Sequence, residues 1–136
     1  LAQAGCRVTV CARTPEKAAA LAARCGGVTV SWEDLPRAAA EHGLLLNATP
    51  LGMEGSPEFE SLDLVQALPA KAVVYDLVYH PTDTALMRAA EYRGLTAVGG
   101  LALLVQQAAL SFAHFTGIVP DAALCRDILQ ELEAAQ

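Results

Sequence analysis

Four groups of residues in this chain of 136 carry side chains that can hold a small polar ligand. Arg13, Thr14 and Lys17 set two cations beside a hydroxyl, a combination that grips phosphate through charge-assisted hydrogen bonds. Asn47 and Thr49 flank Ala48 just before Pro50; their amide and hydroxyl suit a ribose or an amide, and equally suit a closed turn. Tyr79 offers a phenol that can donate to a carboxylate or a hydroxyl. Gly99-Gly100 allows a sharp strand-to-helix turn whose backbone lies close to a flat ligand, and Leu103 and Gln107, four apart, then share one helix face. Taken singly, each has a plain structural reading as well. Arg13 and Lys17 are then solvated charges, Tyr79 a packed ring, Gly99-Gly100 an ordinary turn and Gln107 a solvent-facing amide.

Chemistry beyond binding finds little support. Asp76 and His80 are four apart but span a strand end and a turn, so the spacing does not bring them together, and no Ser-His-Asp or Cys-His arrangement is evident. No catalytic residue is assigned. His42, His80 and His114 are scattered without a second ligand type at helical spacing, so no metal site is expected. The four cysteines show no C-x-x-C pattern and fit reduced thiols in a cytoplasmic protein. Fifteen acidic against nine basic side chains leave a net charge of −6, with no basic cluster for a nucleic-acid backbone. The apolar run 101–105 ends at Gln106 and is far too short to cross a bilayer.

The elements that must position these groups alternate. Residues 7–11 are a β-branched run read as a buried strand; Thr14 is placed to cap, and Pro15 to open, a helix that stops at Gly26-Gly27. Residues 28–30 form a short strand and 32–41 a less regular helix. Residues 44–49 begin as a continuous apolar strand of the kind covered on both faces, and turn polar at its carboxyl end. A surface loop, 54–61, leads to a short apolar segment at 62–68 and a fourth strand at 72–76. Thr84 caps a helix that Gly94 closes, and 96–98 is the last strand. Beyond the two glycines, Leu101, Leu104, Val105, Ala108, Phe112 and Phe115 recur at helical spacing, and a final helix from Pro120-Asp121 carries Leu124, Ile128 and Leu132 on one stripe.

This order predicts an α/β fold, a doubly wound parallel sheet of the Rossmann-like, dinucleotide-binding kind, in one domain over 1–136. In such a sheet ligands lie beyond the carboxyl ends of the strands. Arg13, Thr14 and Lys17 follow the first strand, where the adenosine ribose is read, and a basic residue there selects a 2′-phosphate, hence NADP over NAD. The opening residues 1–5 read as the last turn of a helix closed by Gly5, so the element they end is expected to begin upstream.

Three motifs, in this order, give the chain its likeness to a known family: Ala12-Arg13-Thr14-Pro15-Glu16-Lys17, Asn47-Ala48-Thr49-Pro50-Leu51-Gly52-Met53, and Asp76-Leu77-Val78-Tyr79 with Pro81 and the later Gly100 to Gln107. Together they resemble the C-terminal, NADP-binding part of shikimate dehydrogenase. The resemblance implies reversible, NADP-dependent reduction of 3-dehydroshikimate to shikimate, in chorismate and aromatic amino-acid biosynthesis. It further implies that Arg13, Thr14 and Lys17 hold the 2′-phosphate, that Asn47, Ala48 and Thr49 line the cofactor cleft, and that Leu77 and the Gly100 backbone border the nicotinamide. Leu103 would pack near that ring, while Tyr79 and Gln107 would contact the substrate, shikimate or 3-dehydroshikimate. A homodimer is left open. Ala12 stands where the family usually has Asn, and Leu103 where it often has Met; the family's first strand, its Gly-rich loop and its catalytic Lys and Asp would precede residue 1, leaving these residues alone nearly inactive. Two other readings stay open, an NAD-linked quinate/shikimate-type dehydrogenase and a non-catalytic dinucleotide-binding domain.

Overall fold

A computed structural model describes residues 1–135; Gln136, the last residue of the single span expected from the sequence, lies outside them. The strands and helices follow the expected order: β1 (Thr9–Val10), α1 (Pro15–Cys25), β2 (Val28–Thr29), α2 (Leu35–Ala39), β3 (Leu44–Asn47), α3 (Asp63–Ala67), β4 (Val73–Asp76), α4 (Ala85–Tyr92), β5 (Thr96–Val98), α5 (Gly100–Thr116) and α6 (Ala122–Ala134). Ahead of them Ala2–Ala4 make one 3-10 turn, closed by Gly5 in the left-handed conformation, in keeping with the helix-end reading of residues 1–5.

Every strand pairing is parallel, as short strands joined by helices require. The pairings fall into two ladders, β1 with β2 and β3-β4-β5, where the sequence suggested one sheet. The chain divides accordingly into two compact units, one comprising residues 1–42 and 63–69, the other residues 43–62 and 70 onward.

In the first unit, α1 starts at Pro15, whose missing N–H costs nothing in a first helical turn, and its alanine-rich body buries Ala18 and Ala22. Gly26 at φ 65° ends it. Ala39 of α2 and Leu64, Val65 and Leu68 at α3 complete the buried set. The expected helix over 32–41 shortens to Leu35–Ala39, with Pro36 fitting its first turn. The first strand is also shorter than expected, and Thr9 and Val10 are only half-buried.

In the second unit, β4 is the central strand and its inward residues Val74 and Asp76 are fully buried. Ala72, Val78, Leu86, Ala90, Leu95, Leu101 and Val105 are buried in the same unit. β3 is an edge strand, and Leu44 and Leu46 stay exposed, so the expectation of cover on both faces fails there. The stripe on α5 is likewise covered only in part: Leu101 and Val105 are buried, whereas Leu104, Phe112 and Phe115 face solvent. Leu124, Ile128 and Leu132 of α6 are exposed too.

Candidate functional site

In the second unit, the carboxyl ends of β3 and β4 meet in one hydrogen-bonded cluster. Parallel register sets Asn47 beside Asp76. The Asn47 amide nitrogen donates to Asp76 Oδ1 at 2.9 Å and to the Leu51 carbonyl at 3.1 Å. Its Oδ1 accepts from the Thr49 hydroxyl at 2.6 Å and the Thr49 amide at 3.0 Å. Both polar atoms of the Asn47 side chain are therefore committed inside the protein, and the residue is buried. Of the two roles open in the sequence, this is the closed turn. Thr49 takes part in the same turn, accepting from the Leu51 amide at 3.2 Å, while Ala48 beside it is exposed.

Asp76 accepts two further hydrogen bonds, from the Val78 amide at 3.1 Å and from the Thr84 hydroxyl at 2.7 Å. Thr84 in turn accepts from the Met87 amide at 3.2 Å, which is the helix cap expected of it. A fully buried carboxylate with three donors aimed at it is satisfied where a bare one would be costly. His80 does not join this cluster by the bonds Asp76 makes; its Nε2 lies 2.6 Å from Glu54 Oε2 at the surface.

Leu77 and Tyr79 continue from this anchor. The Leu77 amide donates to the Asn47 carbonyl at 3.0 Å, and the Val78 carbonyl accepts from the Gly100 amide at 3.1 Å, fixing the start of α5 against the end of β4. Gly100 has no alternative there. A Cβ would press on the Leu77 carbonyl oxygen and lie 2.6 Å from that of Val78. Gly99 is less constrained, with φ −91° and only the Met87 side chain 3.4 Å from a notional Cβ. The glycine pair thus works through close approach at one member. From this fixed start α5 carries Leu103, half-buried, and Gln107, exposed. Tyr79 is 51% exposed, and among the described residues neither its hydroxyl nor the Gln107 amide has a hydrogen-bond partner. Leu77, Tyr79, Gly100, Leu103 and Gln107 all belong to this one unit.

Arg13, Thr14 and Lys17 belong to the other unit, at the start of α1. The cap expected of the Thr14 side chain does not form; the Lys17 and Ala18 amides reach its backbone carbonyl instead, at 3.1 and 3.2 Å. That leaves the hydroxyl uncommitted. Arg13 and Lys17 are exposed and make no ion pair among the described residues. Two free cations, a free hydroxyl and the positive end of an eleven-residue helix fit a phosphate. The start of α1 therefore suits a phosphate group of the kind NADP carries. The close approach at Gly100, by contrast, is filled by the chain's own Leu77 and Val78 carbonyls and fixes the backbone there.

Sequence reasoning passed over the joint role of Asp76 and Thr84. The signal was present: an Asn and an Asp ending successive apolar strands, followed by a capping Thr. No group of three or more His, Cys, Asp or Glu among the described residues is arranged to hold a metal ion, and no helix among them is long and apolar enough to cross a membrane.

Residues 100–130 match the family model described as the shikimate 5′-dehydrogenase C-terminal domain. Over 134 residues the chain is 46% identical to a shikimate dehydrogenase (NADP(+)) of Acidiphilium cryptum, an alignment covering 97% of this chain and 48% of that protein. Shikimate 5-dehydrogenase from Thermus thermophilus, solved in complex with NADP(H) and shikimate, is similar at a TM-score of 0.78 and 35% identity, over 96% of this chain and 48% of that one. Quinate dehydrogenase from Corynebacterium glutamicum, in complex with NAD, gives 0.77 and 29% over 92% and 46%. The chain spans about half the length of the relatives it matches.

Proposed function

We propose that this chain, which belongs to the shikimate dehydrogenase family, provides the NADP-binding portion of an enzyme that reversibly reduces 3-dehydroshikimate to shikimate. The observation that carries the reading is the 46% identity to an NADP-dependent relative along 97% of the chain. The free cations at the start of α1 support it. When bound, NADPH supplies the hydride. In the first unit Arg13 and Lys17 pair with the 2′-phosphate of adenosine and Thr14 donates to it. In the second, the turn formed by Asn47, Ala48 and Thr49 and the backbone at Leu77 and Gly100 border the cofactor, with Leu103 against the nicotinamide. Tyr79 and Gln107, whose polar groups are unpartnered, hold hydroxyl or carboxylate groups of the substrate. None of these side chains is assigned the proton transfer that accompanies hydride transfer. The partner is a small molecule, and the net charge of −6 supports no role with nucleic acid. The same reading carries a cytoplasmic setting.

A second reading, an NAD-linked quinate/shikimate-type enzyme, is favoured by the similarity to the quinate dehydrogenase and by Ala12 in place of the family's usual Asn. Calorimetric titration separates the two. NADP is expected to bind at least tenfold more tightly than NAD, and Arg13→Ala to remove about that preference, roughly 1.4 kcal/mol. Equal affinity for both cofactors with no effect of the substitution would move the assignment to the NAD-linked enzyme, and binding of neither would sink both.

A further inference from the structure

We propose that Asp76 is a positioning residue whose carboxylate fixes, from one buried point, the backbone that carries the substrate- and nicotinamide-facing side chains; the ligand identities rest on the function proposed above. Four segments of the second unit end on this group or one bond away from it. Asn47 brings the end of β3, and the Val78 amide the exit from β4. The Thr84 hydroxyl, bonded to Asp76 and to the Met87 amide, brings the first turn of α4. The fourth segment is reached through Val78, whose carbonyl takes the Gly100 amide and so places the first residue of α5.

Each link has a partner chosen by chemistry. Asp76 is 0% exposed and accepts three hydrogen bonds from neutral donors. An amide in its place would turn an N–H₂ toward one side, either against the Thr84 hydroxyl or against the donors from Asn47 and Val78. The shape is preserved while one arm of the cluster loses its acceptor. Where the N–H₂ faces Val78, Tyr79 is one residue from a released amide, and Leu103 and Gln107 sit on a helix whose first residue hangs on the same segment. Asp76 itself touches no ligand in this scheme. It acts through Val78 and Gly100.

The test is residue-resolved amide hydrogen exchange on the whole chain, comparing Asp76→Asn with Val74→Ala, a neighbouring core truncation on the same strand at a fully buried position outside the cluster. In Asp76→Asn the amides on the side that the N–H₂ faces, Val78 and Gly100 or else Met87, are expected to exchange at least tenfold faster than in the parent, while amides at the centre of β4 change less than twofold. Thr84→Val should give that effect at Met87, and Thr84→Ser should recover it. Val74→Ala should raise exchange across the unit without that focus. A uniform rise in Asp76→Asn, or none, overturns the proposal, because the carboxylate would then be simply part of the core or dispensable. Titration of the same proteins with NADP and with shikimate reads the functional premise separately: failure of the parent chain to bind either overturns the cofactor and substrate assignment, and the exchange pattern still decides the role of Asp76. Where the parent binds shikimate, Asp76→Asn is expected to weaken it at least fivefold and Val74→Ala less than twofold.

Discussion

Among single residues, Cys11 shows how little of a side chain's chemistry is written in its identity. Burial pushes its thiol above the ordinary cysteine range, and the nearby Glu33 carboxylate pushes it the same way. The folded chain therefore keeps a proton that the unfolded chain gives up near pH 8.5, about the value for a free thiol. Stability from this group is intact below that pH and declines as pH rises through the higher folded value. Since the thiolate is the reacting form, Cys11 is expected to be alkylated by iodoacetamide several-fold more slowly at pH 8.5 than exposed Cys6. Peptide mass spectrometry of a timed reaction reads both sites, and equal rates would contradict the shift. Asn47 makes the same point from the polar side. Its type and place suggested a ligand contact or a turn, and only the parallel register that seats it against Asp76 decides between them.

The junction at the start of α5 turns on one missing methyl group. Gly100→Ala must push the Leu77 and Val78 carbonyls aside, and overpacking of this sort costs about 1–3 kcal/mol, enough to lower the unfolding midpoint measurably. Gly99→Ala meets the flexible end of Met87 and, at an ordinary contact distance of 3.8 Å, the Thr82 carbonyl, and is expected to shift stability by less than about 0.5 kcal/mol. Thermal denaturation of the two variants side by side tests this; equal losses would mean that the close approach at Gly100 is not what holds the junction. The turn itself was legible in the sequence, as were Pro15 opening α1 and Thr84 capping α4, since each depends on local backbone chemistry. The difference between two adjacent glycines was not. It depends on carbonyls more than twenty residues earlier in the chain, which no local pattern contains.

Across the molecule, α/β alternation and parallel pairing follow from periodicity and turn residues, but cover does not. Helical spacing marks an apolar stripe without saying what lies over it. On α5 and the turn into α6, Phe115 is 84% and Val119 81% exposed, with Leu110, Phe112 and Ile118 nearby in the chain. An apolar surface of this extent favours association and dye binding. The chain on its own is expected to bind a hydrophobic fluorescent dye and to self-associate at tens of micromolar by sedimentation. Replacing Phe115 and Val119 together with Ser should reduce both and leave the unfolding midpoint nearly unchanged; unaltered association would place the contact elsewhere. The rim proposed for the ligand in the second unit has the opposite character. Its frame is made by a buried carboxylate and by backbone, whereas the side chains that look outward, Tyr79 and Gln107, make no hydrogen bond that holds the frame together. Divergence in ligand choice then needs no rebuilding of the scaffold: a library randomised at 79, 103 and 107 explores new recognition on a rim whose shape is inherited intact.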